Sequence, residues 1–373
     1  MIALTDRRQC CGCSACASAC PHGAIEMVAD GMGFLYPRIN PELCTDCGLC
    51  EKVCAFKAAE PKDKALAQAI RFPALMRDSQ SGGLAYALMR KTILGGGVVY
   101  GAAIDSDFSV RHRRVEDEAG LQPLRLSKYV QSNMDGIPGK VLEDLKAGRK
   151  VLFTGTPCQC AGIASIAGKY RKDLLLADII CHGVPSPAVW KGYLESMERR
   201  KGKPLSAVLF RDPSLGWHEH REALFFGDEK LVSGEYTFFF YRHLMLRPSC
   251  TACPFASLNR PSDITMADCW GVEKALPGFA DDNLGCSLLL ANTPEGRAAV
   301  EVFPDPCERK DIDIKEVMQP NLSSASLAHK RTKSFENTYI RKGYDAVLAR
   351  FGRESRSYKL EQFIQKVKRH IKI

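Results

Sequence analysis

The chain opens with two copies of one cysteine spacing, Cys-x-x-Cys-x-x-Cys-x-x-x-Cys: Cys10, Cys13, Cys16 and Cys20, then Cys44, Cys47, Cys50 and Cys54. Thiolates at this spacing suit an iron–sulfur cubane, because a short loop wraps three corners of the cube and the fourth ligand comes from the partner loop. The predicted ligand sets are therefore Cys10, Cys13, Cys16 and Cys54 for one [4Fe–4S] cluster, and Cys44, Cys47, Cys50 and Cys20 for the other. Zinc is the alternative metal for clustered cysteines, but its sites usually show two separated Cys-x-x-Cys pairs. Pro21 follows the first copy where Ala55 follows the second, which leaves the ligands intact. Cys11 is an additional thiol in the first loop, read as a bystander.

Four further cysteines need a scaffold to bring them together. Residues 84–94 read as a helix broken by Gly95-Gly96-Gly97, residues 98–104 as a buried strand and residues 141–146 as a helix ended by Gly148. Residues 151–154 and 174–180 read as further strands, with a Gly155-Thr156-Pro157 turn and a helix starting near Cys158 between them. Strands alternating with helices argue for an α/β core, and nearly continuous apolar strands for a parallel sheet covered on both faces. Residues 207–240 read as mainly strand, and residues 264–270 and 287–291 as strands again. Ligands of open α/β sheets bind outside the carboxyl ends of the strands. There Cys158 opens a helix, Cys181 ends the next strand, and Cys250 and Cys253 add one Cys-x-x-Cys. Four thiolates are enough for a third [4Fe–4S] cluster. A redox-active Cys-x-x-Cys, a zinc site and plain buried thiols stay open as alternatives.

The strings SQSGG (79–83), SKYVQS (127–132), TGTPCQ (154–159), DIICHGVPSP (178–187), LRPSCTACPF (246–255) and DITMADCWG (263–271) occur in this order. Together they resemble the coenzyme F420 hydrogenase/dehydrogenase beta-subunit family, including its bacterial relatives with an added ferredoxin module. The resemblance covers roughly residues 1–300. It implies an iron–sulfur flavoprotein oxidoreductase that couples one-electron transfer through [4Fe–4S] clusters to hydride transfer at FAD, with coenzyme F420 or another two-electron acceptor. It implies a third cluster at Cys158, Cys181, Cys250 and Cys253. It also implies a flavin pocket at Ser81, Gly82, Gly83, Lys128 and Tyr129 and in the turn of Thr154, Gly155, Thr156, Pro157 and Gln159. The residue types agree in kind: small residues admit close backbone approach, and amides at a helix start favour a phosphate. A lysine near a flavin stabilises its reduced anion. Read without the resemblance, Ser81-Gly82-Gly83 is an ordinary helix-capping turn and Lys128 an ordinary surface lysine. No Gly-x-Gly-x-x-Gly follows a strand, so a Rossmann-type dinucleotide site is not expected. His182, Trp217 and His218 are candidates for a substrate face, and no catalytic residue is assigned. Two relatives of this reading are a direct reductase of an organic substrate, resembling chlorophyll-modifying reductases, and an electron-transfer subunit with no substrate of its own. The chain departs from the family at Cys269, where related members often carry an aromatic residue, and at Cys160; Cys286 and Cys307 stand in no motif.

A chain of 373 residues is expected to form more than one domain. The expected division is a bacterial-type 2[4Fe–4S] ferredoxin domain over residues 1–57, a linker over 58–72, an α/β flavin- and cluster-binding domain over 73–305, and a basic, largely helical region over 306–373. The fold class is therefore α+β with an α/β main domain. With 45% hydrophobic and 25% charged residues the composition is that of a soluble globular protein. Seventeen cysteines in ligand spacings, with no apolar core in residues 1–8, point to a reducing, cytoplasmic setting. No uncharged apolar run approaches the roughly 20 residues of a membrane helix. The net charge of +9 falls wholly after Ala328, and the rest of the chain is balanced. There Leu360, Phe363, Ile364, Val367 and Ile371 recur at helical spacing among lysines and arginines. Such a helix suits packing on its own domain, or peripheral contact with anionic lipid or an acidic partner. The expected partners are a redox protein and a small-molecule hydride carrier or substrate. Nucleic acid is not expected, since no recognition module accompanies the charge.

Overall fold

A strand buried on both sides must be apolar on both its faces, and the central strands of this chain are. The computed structural model describes residues 6–56 and 65–362. In the cysteine-rich module β1 (Ile25–Ala29) and β2 (Leu35–Ile39) form an antiparallel hairpin. The main sheet collects β3 (Leu66–Arg71), β4 (Val98–Ile104), β5 (Val110–Val115), β6 (Val151–Gly155) and β7 (Leu174–Ile179). Three strands, β8 (Ala207–Leu209), β9 (Ala223–Phe226) and β10 (Glu229–Val232), make a small antiparallel sheet of their own. The main sheet is completed by β11 (Ile264–Asp268), β12 (Ser287–Ala291) and β13 (Glu308–Asp311). Its order is β13-β3-β12-β11-β7-β6-β4-β5.

The centre of this sheet is parallel, β4 to β6, β6 to β7 and β7 to β11, as the apolar runs predict. Its flanks are antiparallel, which makes the sheet mixed. Val98, Tyr100, Val151, Phe153, Leu174 and Leu176 point to one face, under the helices Ile137–Lys146 and Pro157–Ala167. Their neighbours Val99, Leu152 and Ala177 point to the other, under the helix Leu84–Leu94. Both faces are thus covered, and the carboxyl ends of β6, β7 and β11 are left for a site.

Three segments differ from the sequence reading. Residues 66–71, placed in a linker, form β3, which pairs with β12 and β13 deep enough that Ala69 and Ile70 are fully buried. Alanine, glutamine and arginine carry little strand preference, and pairing with two neighbours decides the outcome. Residues 235–241 form the helix Glu235–Tyr241 where strand was expected; Tyr236, Phe238, Phe239 and Phe240 all find burial against the helices Pro187–Lys201 and Thr332–Phe351. Tertiary packing overrides the aromatic strand preference there. The region after residue 305 also joins the core, through β13 and through Phe335, Tyr344, Val347 and Phe351. The amphipathic stripe beyond Leu360 lies outside the described residues.

One buried ion pair fixes the approach to the site. The Arg260 guanidinium donates to the Asp178 carboxylate at 2.9 Å and to the carbonyls of Phe255 and Ile179 at 2.8 Å, with both side chains at most 1% exposed. This ties the end of β7, three residues before Cys181, to the loop carrying Cys253. Removing one member of a buried pair leaves a charge uncompensated, at a cost of roughly 3–5 kcal/mol. Asp178→Asn is expected to lower unfolding free energy by about that amount in urea titrations, whereas an effect under about 1 kcal/mol would contradict the pairing.

Candidate functional site

The two cysteine loops share a backbone. Gly12 and Ser14 in the first have φ of 70° and 62°, and Asp46 and Gly48, at the same offsets in the second, have φ of 51° and 72°. Left-handed residues alternating through a short loop curl its amides inward, which suits an anionic body. Each loop then enters a short helix, Ala15–Ala19 or Leu49–Lys52. The Gly12 amide donates to the Cys10 sulfur at 3.4 Å and the Ala24 amide to that of Cys20 at 3.3 Å. Burial pushes the Cys16 thiol up to about 12, and Cys13, Cys10 and Cys54 reinforce the shift. Cys54 of the second loop is therefore close to the first loop's cysteines. The loops differ in surroundings: Cys13 packs so tightly on the helix Pro157–Ala167 that a Cβ at Gly162 would meet its sulfur at 2.7 Å, whereas Cys47 is exposed.

Four cysteines meet at the carboxyl edge of the main sheet. Cys158 is set by a capping box, in which the Gln159 side chain accepts from the Thr156 amide at 2.9 Å while the Thr156 hydroxyl caps the helix. Cys181 follows β7, and the Gly183 amide donates to its sulfur at 3.4 Å. The Val184 amide donates to Cys250 at 3.3 Å, and Cys250 and Cys253 ride the single turn Pro248–Ala252 and its end. All four line one cavity, together with Cys11. Burial drives Cys181 well up, with Cys250, Cys158 and Cys253 adding repulsion. Burial likewise raises Cys250 to about 12 and Cys253 to about 11. Cys158 runs the other way, to about 7, first through its hydrogen bond with Cys11. Among the described residues no three His, Cys, Asp or Glu groups close tightly enough to hold a single ion; a cubane spreads its four thiolates around a wider body.

Between the two sets lies a junction that the spacing did not disclose. Arg247, fully buried, donates to the carbonyls of Cys10 and Leu35, both at 2.8 Å, and to the Gln131 side chain at 2.9 Å. Gln131 in turn donates to the Cys11 carbonyl at 2.9 Å. Cys11 itself is buried within hydrogen-bonding reach of both Cys13 and Cys158, which lie in different halves of the molecule. It is a bridge in the packing, not a bystander. Arg247 and Gln131 stand inside the strings LRPSCTACPF and SKYVQS, so their position beside the cysteine motifs was the available signal.

The strings of the expected flavin pocket also approach one another. Arg125 donates to the Leu75 carbonyl at 3.4 Å, lies 3.8 Å from Asp78 and stacks over Tyr86, joining residues 75–86 to 125–128. His112 joins Ser132, at 2.7 Å, to the Thr154 carbonyl, at 2.9 Å, and stacks on Phe153. Lys128 is held by the Arg125 and Leu126 carbonyls, and burial brings it down to about 7. It is a half-buried lysine held against backbone carbonyls. Gly82 lies so close to the Ile70 carbonyl and the Ser287 amide that no side chain fits there, and Ser81 donates to the Cys286 carbonyl at 2.8 Å. Gly83, at φ 88°, starts the helix Leu84–Leu94 with no side-chain cap. Gln80 Oε1 and Arg125 Nε are buried without a hydrogen-bond partner among the described residues. Tyr129 stacks on Phe240 in the aromatic core, and its carbonyl accepts from Tyr236 at 2.8 Å. Thr156, Pro157 and Gln159 line the four-cysteine cavity. One cavity, about 560 Å³, runs past Gly12, Arg111, Gln131 and Trp190 and includes none of the expected flavin residues. His182 lies against His243 at 2.7 Å beside the four cysteines. Trp217 is buried on Trp270, and His218 lies against both rings and pairs with Glu273 at 3.0 Å, so these two sit together while His182 packs on His243. Cys269 and Cys286 are buried neighbours across β11 and β12, and Cys160 is buried against the Ala177 carbonyl.

Two cysteine loops of repeated backbone and ligand spacing mark an iron–sulfur electron-transfer module. Residues 9–58 match the family model of the 4Fe–4S dicluster domain. Residues 148–317 match the model for the C terminus of the coenzyme F420 hydrogenase/dehydrogenase beta subunit. The family resemblance carried by the six strings is thereby borne out: the chain joins a 4Fe–4S dicluster module to a region of this beta-subunit family. No curated protein matches. Among solved structures, the F420-reducing [NiFe] hydrogenase complex from Methanosarcina barkeri is similar, with 13% identity and a TM-score of 0.47 over 77% of this chain and 94% of that one. Among the described residues no helix is long and apolar enough to cross a membrane.

His112 offers a pH signature. Burial lowers it from 6.5 to about 4, with the Thr154 carbonyl opposing and Lys128 reinforcing the shift. The unfolded chain therefore binds a proton below about 6.5 that the folded chain refuses until about 4. Stability is retained above 6.5 and falls as pH drops through that window, by up to about 1.4 kcal/mol per pH unit for this group. Urea midpoints measured from pH 7.5 to 5 are expected to fall less steeply in His112→Asn than in the parent chain; equal slopes would show that His112 is not the group.

Proposed function

We propose that the chain is an oxidoreductase that passes electrons between its ferredoxin module, a third [4Fe–4S] cluster and FAD. The ferredoxin ligands would be Cys10, Cys13, Cys16 and Cys54 for one cluster and Cys44, Cys47, Cys50 and Cys20 for the other. The third would be held by Cys158, Cys181, Cys250 and Cys253. The observation that carries this reading is the meeting of those four half-buried thiols in one cavity with the buried Cys11 of the first ferredoxin loop. When bound, the clusters supply one-electron steps and the flavin a two-electron hydride step.

The chain's own residues supply the rest. Amides of Gly183 and Val184 hold the sulfurs of Cys181 and Cys250, and hydrogen bonds of this kind tune cluster potential. The pocket for FAD is assigned to Ser81, Gly82, Gly83, Lys128, Tyr129 and the Thr154–Gln159 turn. Three features of this structure fit it: the uncapped start of the helix Leu84–Leu94 favours a phosphate, Gln80 and Arg125 carry unpartnered buried atoms, and Lys128 is poised between charged and neutral forms near pH 7. The start of the helix Pro157–Ala167 is committed otherwise, since Gln159 takes the Thr156 amide. The two-electron acceptor proposed is coenzyme F420 or a carrier of the same class. A second reading, electron carriage to a partner protein without a substrate, is favoured by a cavity of about 560 Å³ that includes none of the residues assigned to the flavin.

Iron, sulfide and flavin counted on one anaerobically purified sample decide between them. About twelve irons and about one FAD per chain are expected, with about eight irons in Cys250→Ser. Twelve irons without flavin would favour the second reading. Eight irons in the parent chain would remove the third cluster.

A further inference from the structure

Among the described residues three arginines are almost completely buried: Arg211, Arg247 and Arg260. A guanidinium stays charged in proteins, and burying it without a counter-charge is strongly unfavourable. Arg260 has Asp178 at 2.9 Å and Arg211 has Asp268 at 2.7 Å. Arg247 has no carboxylate partner among the described residues. Its partners are the carbonyls of Cys10 and Leu35, the Gln131 amide oxygen and, at 3.6 Å, the Cys10 sulfur. Its flat faces meet Tyr36, 4.3 Å from the guanidinium carbon to the ring centre, and Phe34 at 5.5 Å. The space is closed as well: a Cβ on Gly12 would meet Arg247 Nη1 at 2.8 Å. The residue is held on every side by groups that do not neutralise it.

The missing counter-charge lies in the chemistry of its neighbours. Arg247 touches the first ferredoxin loop at Cys10, and it lines the cavity of Cys158, Cys181, Cys250 and Cys253. A cubane held by four thiolates carries net negative charge and gains one more unit on reduction. We propose that Arg247 is a positioning residue whose buried charge is balanced by the first ferredoxin cluster and the third cluster together, so that it fixes their spacing and favours the reduced state of both. This rests on the ligand sets assigned under Proposed function. The partners found for Arg247 belong to the first loop and the main domain, and Cys47 of the second loop is exposed, so the second ferredoxin cluster is expected to feel it least. Gln131 is the neutral spacer: it accepts from Arg247 and donates to the Cys11 carbonyl, which holds the loop in place without cancelling the charge.

The test uses the full chain purified anaerobically, its iron counted, and its clusters titrated against potential by electron paramagnetic resonance. In Arg247→Gln two of the three clusters are expected to become harder to reduce. Their ratio of reduced to oxidised at a fixed potential should fall about tenfold, a midpoint shift of about 59 mV for a one-electron couple, while the remaining cluster keeps its midpoint. Gln131→Glu keeps the arginine but neutralises it, and should shift the same two; it reads the proposal if Arg247→Gln does not assemble. Arg38→Gln, at an exposed pair with Glu26 on the hairpin, should shift none. Twelve irons with no shift, or with all three clusters shifted alike, would overturn the proposal alone. Eight irons in the parent chain would overturn the third cluster, and this proposal with it.

Discussion

Thiols taken out of water resist losing their protons, and the cysteines at the centre of this molecule are taken out of water together. Burial raises Cys16, Cys181, Cys250 and Cys253, and each neighbouring sulfur raises them further. Left as bare thiols, such a set is a crowd of polar atoms with few partners. Metal ligation is linked to deprotonation and to folding, so a positively charged core entering the set turns that repulsion into cohesion. The rest of the structure is built to make the crowding possible. The covered sheet ends its central strands at one edge, the capping box of Thr156 and Gln159 fixes Cys158, and the Arg260–Asp178 pair locks the strand end before Cys181 to the loop of Cys253.

The same constraint explains why the two halves are not beads on a string. The first cysteine loop is pinned by carbonyl bonds to Arg247 and Gln131, and Cys13 is seated on Gly162 with no room for another carbon. An electron route needs donor and acceptor held at a fixed separation. Backbone carbonyls bound to a fully buried side chain hold it more firmly than surface ion pairs, whose energies are small and screened by salt.

Much of this was legible in the sequence, and the boundary of legibility is physical. The cysteine loops were readable because metal ligation imposes a local spacing, and the strands Val98–Ile104 and Ser287–Ala291 because burial on both faces demands an apolar run. The helix Leu84–Leu94 was readable from its glycine stop. What failed was set by distant partners. Leu66–Arg71 becomes a strand because β12 and β13 flank it, and Glu235–Tyr241 a helix because three elements cover its aromatic residues. Lys128 reads as a surface residue in sequence, and what half-buries it is its own turn, whose Arg125 and Leu126 carbonyls take its ammonium.

The repeat itself shows the limit most clearly. The two loops carry the same ligands at the same spacing and the same alternation of left-handed residues, so their ligand pattern does not tell them apart. Their environments are opposite: one is sealed against the main domain, the other presents Cys47, Leu43 and Leu49 to solvent. Cluster potential depends on hydrogen bonds and burial as well as on ligand identity. Two sites of identical spacing therefore become two sites of different character, and the residue that distinguishes them, Arg247, lies far along the chain from both. The polarity of the module is a property of the packing, written in a buried arginine and a glutamine and not in the cysteines.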